Sequence, residues 1–341
     1  MVREPASPSR TSGITGFGRE TAEDLAFHGF QARFLEEGIR ALARAGDVGP
    51  DYTSFTIDVR STVIARAMYR AADGSGDLCY PGGHAPGPSL AFGATPLEFL
   101  RHLACKGTSA GGAREGGLSW TDTRRGLIGW AGACGLMSQV LAGAALAFRQ
   151  RKHSRAALAF EGSRALDAGG WHEGMNLAGA LRAPLIVVLD VATAAAAECA
   201  PSIGAVAEGY GFAYAELGQD PFDALVREVA AARRRAVDGA GPTLLALGPR
   251  SDSEPWALHE RFLESASAEW GLAGPELAAI ERAARAGVDH AVARLVKEPS
   301  PDPSDALAPV HTDHEPFPPW TRREPPSPGP VEPQPGSAHV H

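Results

Sequence analysis

The sequence predicts an α/β fold: a parallel sheet covered by helices on both faces, followed by a helical C-terminal segment. Three observations carry this. Apolar runs within 155–162, 183–192, 210–217 and 241–248 are unbroken rather than alternating with polar residues, as in strands buried on both faces. Stretches with helical periodicity stand between successive runs. No internal repeat competes with that layout.

Taken in order, residues 1–24 are rich in Pro, Ser and charge without a period, and are expected to be disordered. "LAFHGFQARFLEEGIRALARA" (25–45) spaces its apolar residues at three and four, the mark of an amphipathic helix. A second helix is expected over 53–72, weakened by Thr53, Thr56, Thr62 and Val63. The glycine- and proline-rich stretch 73–95 reads as a loop. Thr95 as N-cap and Pro96 at the first helical position then open "TPLEFLRHLAC". Another glycine-rich loop spans 107–117, and 135–150 reads as a buried helix with small residues for close packing.

"RAALAFEG" is the first strand, "HEGMNLAGALR" a helix and "APLIVVLDVA" the second strand. "YGFAYAEL" is the third, "PFDALVREVAAARRRAV" the helix after it and "GPTLLALG" the fourth. Two helical stretches follow Pro249, and 298–341 is a Pro-rich, acidic tail. The folded domain is therefore expected over 25–297.

Composition narrows the function. The 341 residues are 44% hydrophobic, enough for a sizeable core. Lys and Arg number 32 against 40 acids, a net charge of −8, which argues against a nucleic-acid partner. The arginines at 233–235 read as a solvated helix face. Cys79, Cys105, Cys134 and Cys199 have no CxxC spacing and read as free thiols in a reducing compartment. Neither a secretory leader nor a long apolar span is apparent, so a cytoplasmic protein without membrane contact is expected.

Short motifs are weak by themselves. "ITGFGRE" (14–20) has spaced glycines but no preceding strand. "HEGMN" (172–176) lacks the second histidine a zinc helix needs. "GTSAG" (107–111) matches a nucleophile elbow around Ser109, a remote serine-hydrolase reading, but a helix stands where a strand is required. His84 and His172 are candidate general bases or hydrogen-bonded surface histidines.

A longer pattern says more. "GGAREGGLSW", "GLMSQVLAGAALAFRQRKHSRAALAFEG", "WHEGMNLAGALRAPLIVVL", "GQDPFDALVREVAAARRRAVDGAGPTLLAL" and "LAAIERAARAGVDHAVARLVKEPSPDPSDAL" follow one another in a fixed order. Together they resemble the alpha subunit of the thiamine-diphosphate-dependent 2-oxo acid dehydrogenases, the E1 component of pyruvate and branched-chain complexes. The resemblance runs from about residue 25 to about 312. It implies a thiamine-diphosphate-binding fold and a cofactor whose diphosphate is held through Mg²⁺. It also implies a beta-like partner subunit in a heterotetramer, a lipoyl-bearing E2 core, and oxidative decarboxylation with acyl transfer to the lipoyl group.

The family's metal ligands are an Asp in Gly-Asp-Gly and an Asn further along. These fall on Glu161 and Ala192, and Asp190 is the nearest carboxylate to stand in for the second. Mg²⁺ wants oxygen ligands in near-octahedral order at about 2.1 Å. The resemblance further implies cofactor contacts at Tyr80, Gly129, Gly162, Ser163 and Trp120, and a catalytic role for His84. Here the departures cluster. The arginine of the family's Tyr-Arg-x-His loop has no counterpart in "YPGGH", and Trp120 replaces a histidine. The later Gly-His-Ser loop is reduced to "GPRSDSEP", leaving Arg250 and Ser251. The expectation is an E1-alpha-like subunit with a weakened or lost cofactor site, or a non-catalytic structural or regulatory homologue. The glycine-rich faces at 132–143 and 169–174 fit close helix packing, across a subunit interface or inside one chain.

Overall fold

The computed structural model describes residues 19–49, 59–71, 73–116, 120–129, 132, 134–191, 200–218, 221–248 and 257–307. Its elements run α1 (Arg19–Ala45), α2 (Val59–Arg66), β1 (Leu78–Tyr80), α3 (Pro86–Ala91), α4 (Pro96–Leu103), α5 (Leu136–Gln150), β2 (Ala157–Gly162), α6 (Gly169–Ala180) and β3 (Leu185–Asp190). They continue with α7 (Ala200–Gly209), β4 (Ala213–Leu217), α8 (Phe222–Val237), β5 (Thr243–Leu247), α9 (Ala257–Ala268) and α10 (Gly274–Leu295). No described helix is long and apolar enough to cross a membrane.

The strands form one sheet in the order β1-β2-β3-β5-β4, and every neighbouring pair is parallel. Its side chains alternate between two cores, as the period of two requires. Leu158, Phe160, Ile186, Val188, Leu245 and Leu247 point to one face, among residues of α1, α2, α4, α8, α9 and α10. Ala157, Ala159, Leu185, Val187, Leu189 and Leu244 point to the other, under α5, α6 and α7. The predicted class, a parallel sheet with helices on both faces, is the observed one.

Local chemistry sets several element ends. Thr95 adopts φ −86°, ψ 153° and caps α4: its side chain accepts from the Glu98 N–H, and Glu98 accepts from the Thr95 N–H at 2.9 Å. Both orphan donors are thereby satisfied, with Pro96 in the first turn as predicted.

Three elements differ from expectation. Helix α1 begins at Arg19, six residues inside the segment expected to be disordered; residues 1–18 lie outside the described set. The helix predicted over 53–72 is described only as Val59–Arg66. Beyond it the chain turns back, bridging Arg70 to Gly76 around a turn in which the Asp73 carboxylate accepts the Ser75 N–H. A fifth strand, β1, arises inside the stretch read as loop. Three residues beside glycines and prolines give too short a period to read, and the pairing of Leu78–Tyr80 with Ala157–Ala159 creates the strand.

The compact unit extends to Pro301. Within it Glu298, assigned from sequence to the tail, accepts from Arg101 and Thr108, while its carbonyl accepts from Lys106 Nζ at 2.9 Å. Asp302 opens a second unit, of which 302–307 are described: a 3₁₀ turn, Pro303–Leu307, in which Ser304 donates to the Asp302 carboxylate.

Candidate functional site

Parallel strands present their C-terminal ends to a crevice beside helix N-termini, where α/β proteins of this class bind ligands. Here β1 ends at Tyr80, β2 at Gly162 and β3 at Asp190, and α5 opens behind them with Gly135 as its N-cap.

Tyr80 pairs with Ala159, so it leaves the sheet on the same face as Glu161, two residues further along β2. Glu161 is 4% exposed. Its Oε1 accepts from Ser138 Oγ at 3.0 Å, and the backbone amides of Ser138 and Gly135 at the head of α5 pull its pKa down. The carboxylate of β2 is therefore tied by a hydroxyl to the first turn of α5, whose first N–H groups have no partner within the helix. Burial nevertheless pushes the Glu161 carboxyl up to about 7, against the pull of those donors. The Tyr80 phenol is raised by burial and by the neighbouring charge of Glu161. The exposed Cys134 thiol, one residue before the cap, is raised by burial and by Glu161, with Arg164 pulling the other way.

Asp190 is not part of this cluster. The register sets Asp190 opposite Gly162 and Glu161 opposite Leu189. The two carboxylates thus leave the sheet on opposite faces, Glu161 toward α5 and Asp190 on the side of Val188. The sheet does not bring Glu161 together with Asp190, the carboxylate expected to stand in for the second ligand position at Ala192. Among the described residues no group of three or more His, Cys, Asp or Glu side chains is placed to hold a metal ion. These groups do not fit a Mg²⁺ bridge to a diphosphate.

The other expected contacts disperse. Trp120 belongs to the core of the opposite face, 7% exposed, with its ring over His102 (centroids 5.8 Å apart) and edge-on to Phe99 (6.1 Å). The Gly129 N–H is used by Thr121 Oγ1 at 2.9 Å. Gly162 and Ser163 lie at the end of β2 as expected. Gly162 is exposed, with no atom within 4 Å of where a Cβ would stand, and Ser163 opens a 3₁₀ turn. His84 closes the 3₁₀ turn after β1; its side chain, like Ala192, Cys199, Arg250 and Ser251, lies outside the described residues.

Two motif readings also resolve. His172 uses both ring nitrogens: Nε2 donates to the Leu166 carbonyl at 2.8 Å, and Nδ1 meets the Tyr210 hydroxyl at 2.9 Å. It is a structural histidine of α6. Ser109 follows helix α4, and its Oγ accepts the Ala113 N–H at 3.0 Å, so the strand-to-helix elbow is absent.

Sequence reading missed Ser138, Gly135 and Cys134. One signal was available: a hydroxyl at the third position of a helix that opens on glycine, close to N-terminal donors in need of acceptors. It also missed Arg60, buried on α2, which donates to the carbonyls of Gly218 (3.3 Å) and Gly248 (3.4 Å) just past the ends of β4 and β5.

Comparison with known proteins agrees with the order of the sequence blocks. The family model described as "Dehydrogenase E1 component" matches residues 53–248, more than half of the chain. The chain belongs to this family. The alpha subunit of acetoin:2,6-dichlorophenolindophenol oxidoreductase from Cupriavidus necator is 25% identical over 257 residues, covering 67% of this chain and 76% of that protein. The pyruvate dehydrogenase E1 component subunit alpha of Bacillus cereus is 35% identical over 113 residues, 30% of each chain. Among solved structures, transketolase from Campylobacter jejuni aligns with a TM-score of 0.47 at 14% identity, covering 82% of this chain and 49% of that one. Transketolase from Leishmania mexicana aligns with a TM-score of 0.43 at 15% identity, covering 81% and 45%. This E1 chain spans about half the length of those transketolases.

Proposed function

We propose that this E1-family chain is an alpha-type subunit that has given up its own metal–diphosphate site. It acts as the structural partner of a beta-type subunit in a 2-oxo acid dehydrogenase assembly. The observation that carries the reading is the commitment of Glu161: the only family metal-ligand position that keeps a carboxylate is buried and hydrogen-bonded to Ser138 of α5, and Asp190 lies on the other face of the sheet. The losses noted in the sequence agree with it, since the family's arginine and the histidines of its glycine-rich and Gly-His-Ser loops have no counterparts at the matched positions. The chain's contribution to thiamine-diphosphate chemistry is then to shape the assembly, while the oxidative decarboxylation and transfer to a lipoyl group belong to complete sites elsewhere.

Exposed apolar residues support the partner. Val140 on α5, Leu177 on α6 and Leu181 at the C-cap of α6 are 45%, 42% and 45% exposed, and the two helices pack against each other. Large apolar side chains grouped on adjoining surface helices mark an interaction surface.

The test is calorimetry of thiamine diphosphate with Mg²⁺ on the chain co-purified with a beta-type subunit carrying a disabled site of its own. No heat at millimolar ligand is expected from the alpha site. Binding that vanishes in Glu161→Ala would overturn the reading and restore an active E1-alpha. In the same preparation, a gel-filtration mass equal to one chain would count against the assembly.

A further inference from the structure

Helices α5 and α6 end side by side at the foot of the sheet, where β2 and β3 begin, and both ends are finished alike. At α5 the Lys152 N–H donates to the Arg149 carbonyl and the His153 N–H to the Phe148 carbonyl, each at 2.9 Å. At α6 the Arg182 N–H donates to the Gly179 carbonyl at 3.0 Å and the Ala183 N–H to the Ala178 carbonyl at 2.8 Å. This pattern puts the residue after each C-cap in the left-handed region, where glycine is the usual choice. Here those residues are Lys152, at φ +58°, and Arg182, at φ +49°. The same bonding ends α1, α3, α7 and α8 on Gly46, Gly93, Gly211 and Gly239, and α4 on Cys105. A helix C-terminus favours a cation, yet α1 and α8, with Arg44 and Arg235 in their last turns, still place glycine at this position. Two neighbouring helices therefore accept a strained backbone and set a positive charge on the strained residue.

These two cations are part of a larger face. Residues 126–160 contain no Asp or Glu, and their only Lys and Arg are Arg149, Arg151, Lys152 and Arg155, all in the turn between α5 and β2. Arg149, Arg151, Lys152 and Arg182 are exposed, and among the described residues none of the four has a carboxylate at ion-pair distance. Arg149 donates instead to the carbonyls of Leu181 and Arg182, which joins the two helix ends.

We infer that this basic face at the ends of α5 and α6 is a docking surface for an acidic polypeptide segment. The chain carries a net charge of −8, so an unpaired positive face stands out against the rest of it and steers an anionic partner to one place. The charges lie on two helix ends whose axes stand about 8–10 Å apart, a spread that an extended run of carboxylates spans and a small anion does not. Nucleic-acid bases need an open ring to stack on. The nearest ring, Phe148, is engaged by Arg155, 5.6 Å from its centroid, and by the His153 ring at 6.4 Å. An anionic membrane extends well past the face and meets the negative remainder of the chain within a Debye length of about 8 Å. A short acidic segment avoids both penalties. The inference stands apart from the fate of the metal–diphosphate site, which belongs to the opposite end of the sheet.

The test uses the full chain and a fluorescein-labelled decaglutamate peptide, read by anisotropy at low and at high salt. The parent is expected to bind the peptide below millimolar concentration at low salt, and at least about tenfold more weakly when salt screens the exposed charges. The variant carrying both Lys152→Gly and Arg182→Gly is expected to bind at least about tenfold more weakly than the parent. It is also expected to melt at the same or a higher temperature, because glycine relieves the left-handed backbone. That pairing separates docking from a structural role, which would lower both together. Lys152→Arg with Arg182→Lys keeps the charges and is expected to keep the affinity. A glycine variant that binds like the parent, or melts below it, overturns the inference, as does an exchange variant that loses the peptide. A parent that ignores millimolar peptide overturns it too. Tighter binding of a labelled ten-residue oligothymidylate, or of phosphatidylserine vesicles, would hand the face to a nucleic acid or a membrane instead.

Discussion

His259 on α9 stands between the rings of Phe30 and Phe262, with centroids 5.3 and 5.9 Å away, and its Nε2 has no hydrogen-bond partner among the described residues. Burial, with Arg33 adding a like charge, pushes its pKa down to about 3. The folded chain therefore keeps this imidazole neutral, while the unfolded chain protonates it near 6.5. Its contribution to stability is full above pH 6.5 and falls as the pH drops from there toward 3, at up to about 1.4 kcal/mol per pH unit. His259→Leu is expected to flatten that part of the stability–pH curve, so parent and variant unfolding free energies should diverge between pH 6.5 and 4.5. Parallel curves over that window would refute the assignment. Such a residue is hard to read from sequence, where a histidine among apolar neighbours has no distinguishing neighbour. The candidate site divides on the same ground. Glu161 and Gly162 are legible because the end of a readable strand fixes them, and Tyr80 only through the resemblance of "YPGGH". Trp120 is not, because its environment is made by His102 and Phe99 of α4, which only the fold brings to it.

Helices α5 and α6 show what spacing can and cannot say about an element. The sequence marks both as rich in small residues, without separating contact between helices from contact between chains. The structure separates them position by position. A Cβ at Gly179 would collide with the Tyr210 carbonyl oxygen, so this glycine lets α6 lie against the turn before β4. Gly143, exposed in the middle of α5, would meet nothing within 4 Å. Helix propensity alone ranks alanine above glycine by about 1 kcal/mol at both places. The surroundings split the outcomes. Gly143→Ala is expected to raise the unfolding free energy of the isolated chain by about 0.5–1 kcal/mol. Gly179→Ala is expected to lower it by about 2 kcal/mol or more, since the carbonyl cannot retreat without moving the turn. Urea unfolding of the pair measures both, and equal shifts would mean the α6 contact is not as described. The four longer strands were readable because each is five or six residues long and mostly apolar. Strand β1 was not, since three residues gain their identity from the neighbour they pair with.

At the scale of the whole molecule, one carboxylate joins segments far apart in sequence. Asp77, wholly buried just before β1, accepts the Tyr69 N–H at 2.7 Å, the Ala156 N–H at 2.8 Å, and a two-pronged contact from Arg233 on α8 at 2.6 and 3.1 Å. Arg233 also donates to the Ser154 carbonyl at 3.1 Å and lies over the Tyr69 ring, 5.3 Å from its centroid. The run of arginines predicted to be a solvated face thus gives up one member to the underside of the sheet, opposite the end that carries Glu161. Composition could not reveal this, because 156 residues separate the partners. A buried pair need not be worth much against an apolar replacement of both members, yet breaking one side leaves the other charge and two backbone donors unmet. Asp77→Ala is therefore expected to cost about 3–5 kcal/mol. Arg233→Met alone should cost less, since Arg233 is 18% exposed in its side chain and Asp77 keeps two N–H donors. Combining the two should recover part of the Asp77→Ala loss, with a coupling energy of about 1–3 kcal/mol in a double-mutant cycle. Strict additivity in that cycle would mean that Arg233 and Asp77 do not act on each other, and that the edge of the sheet is held at β1 by backbone pairing alone.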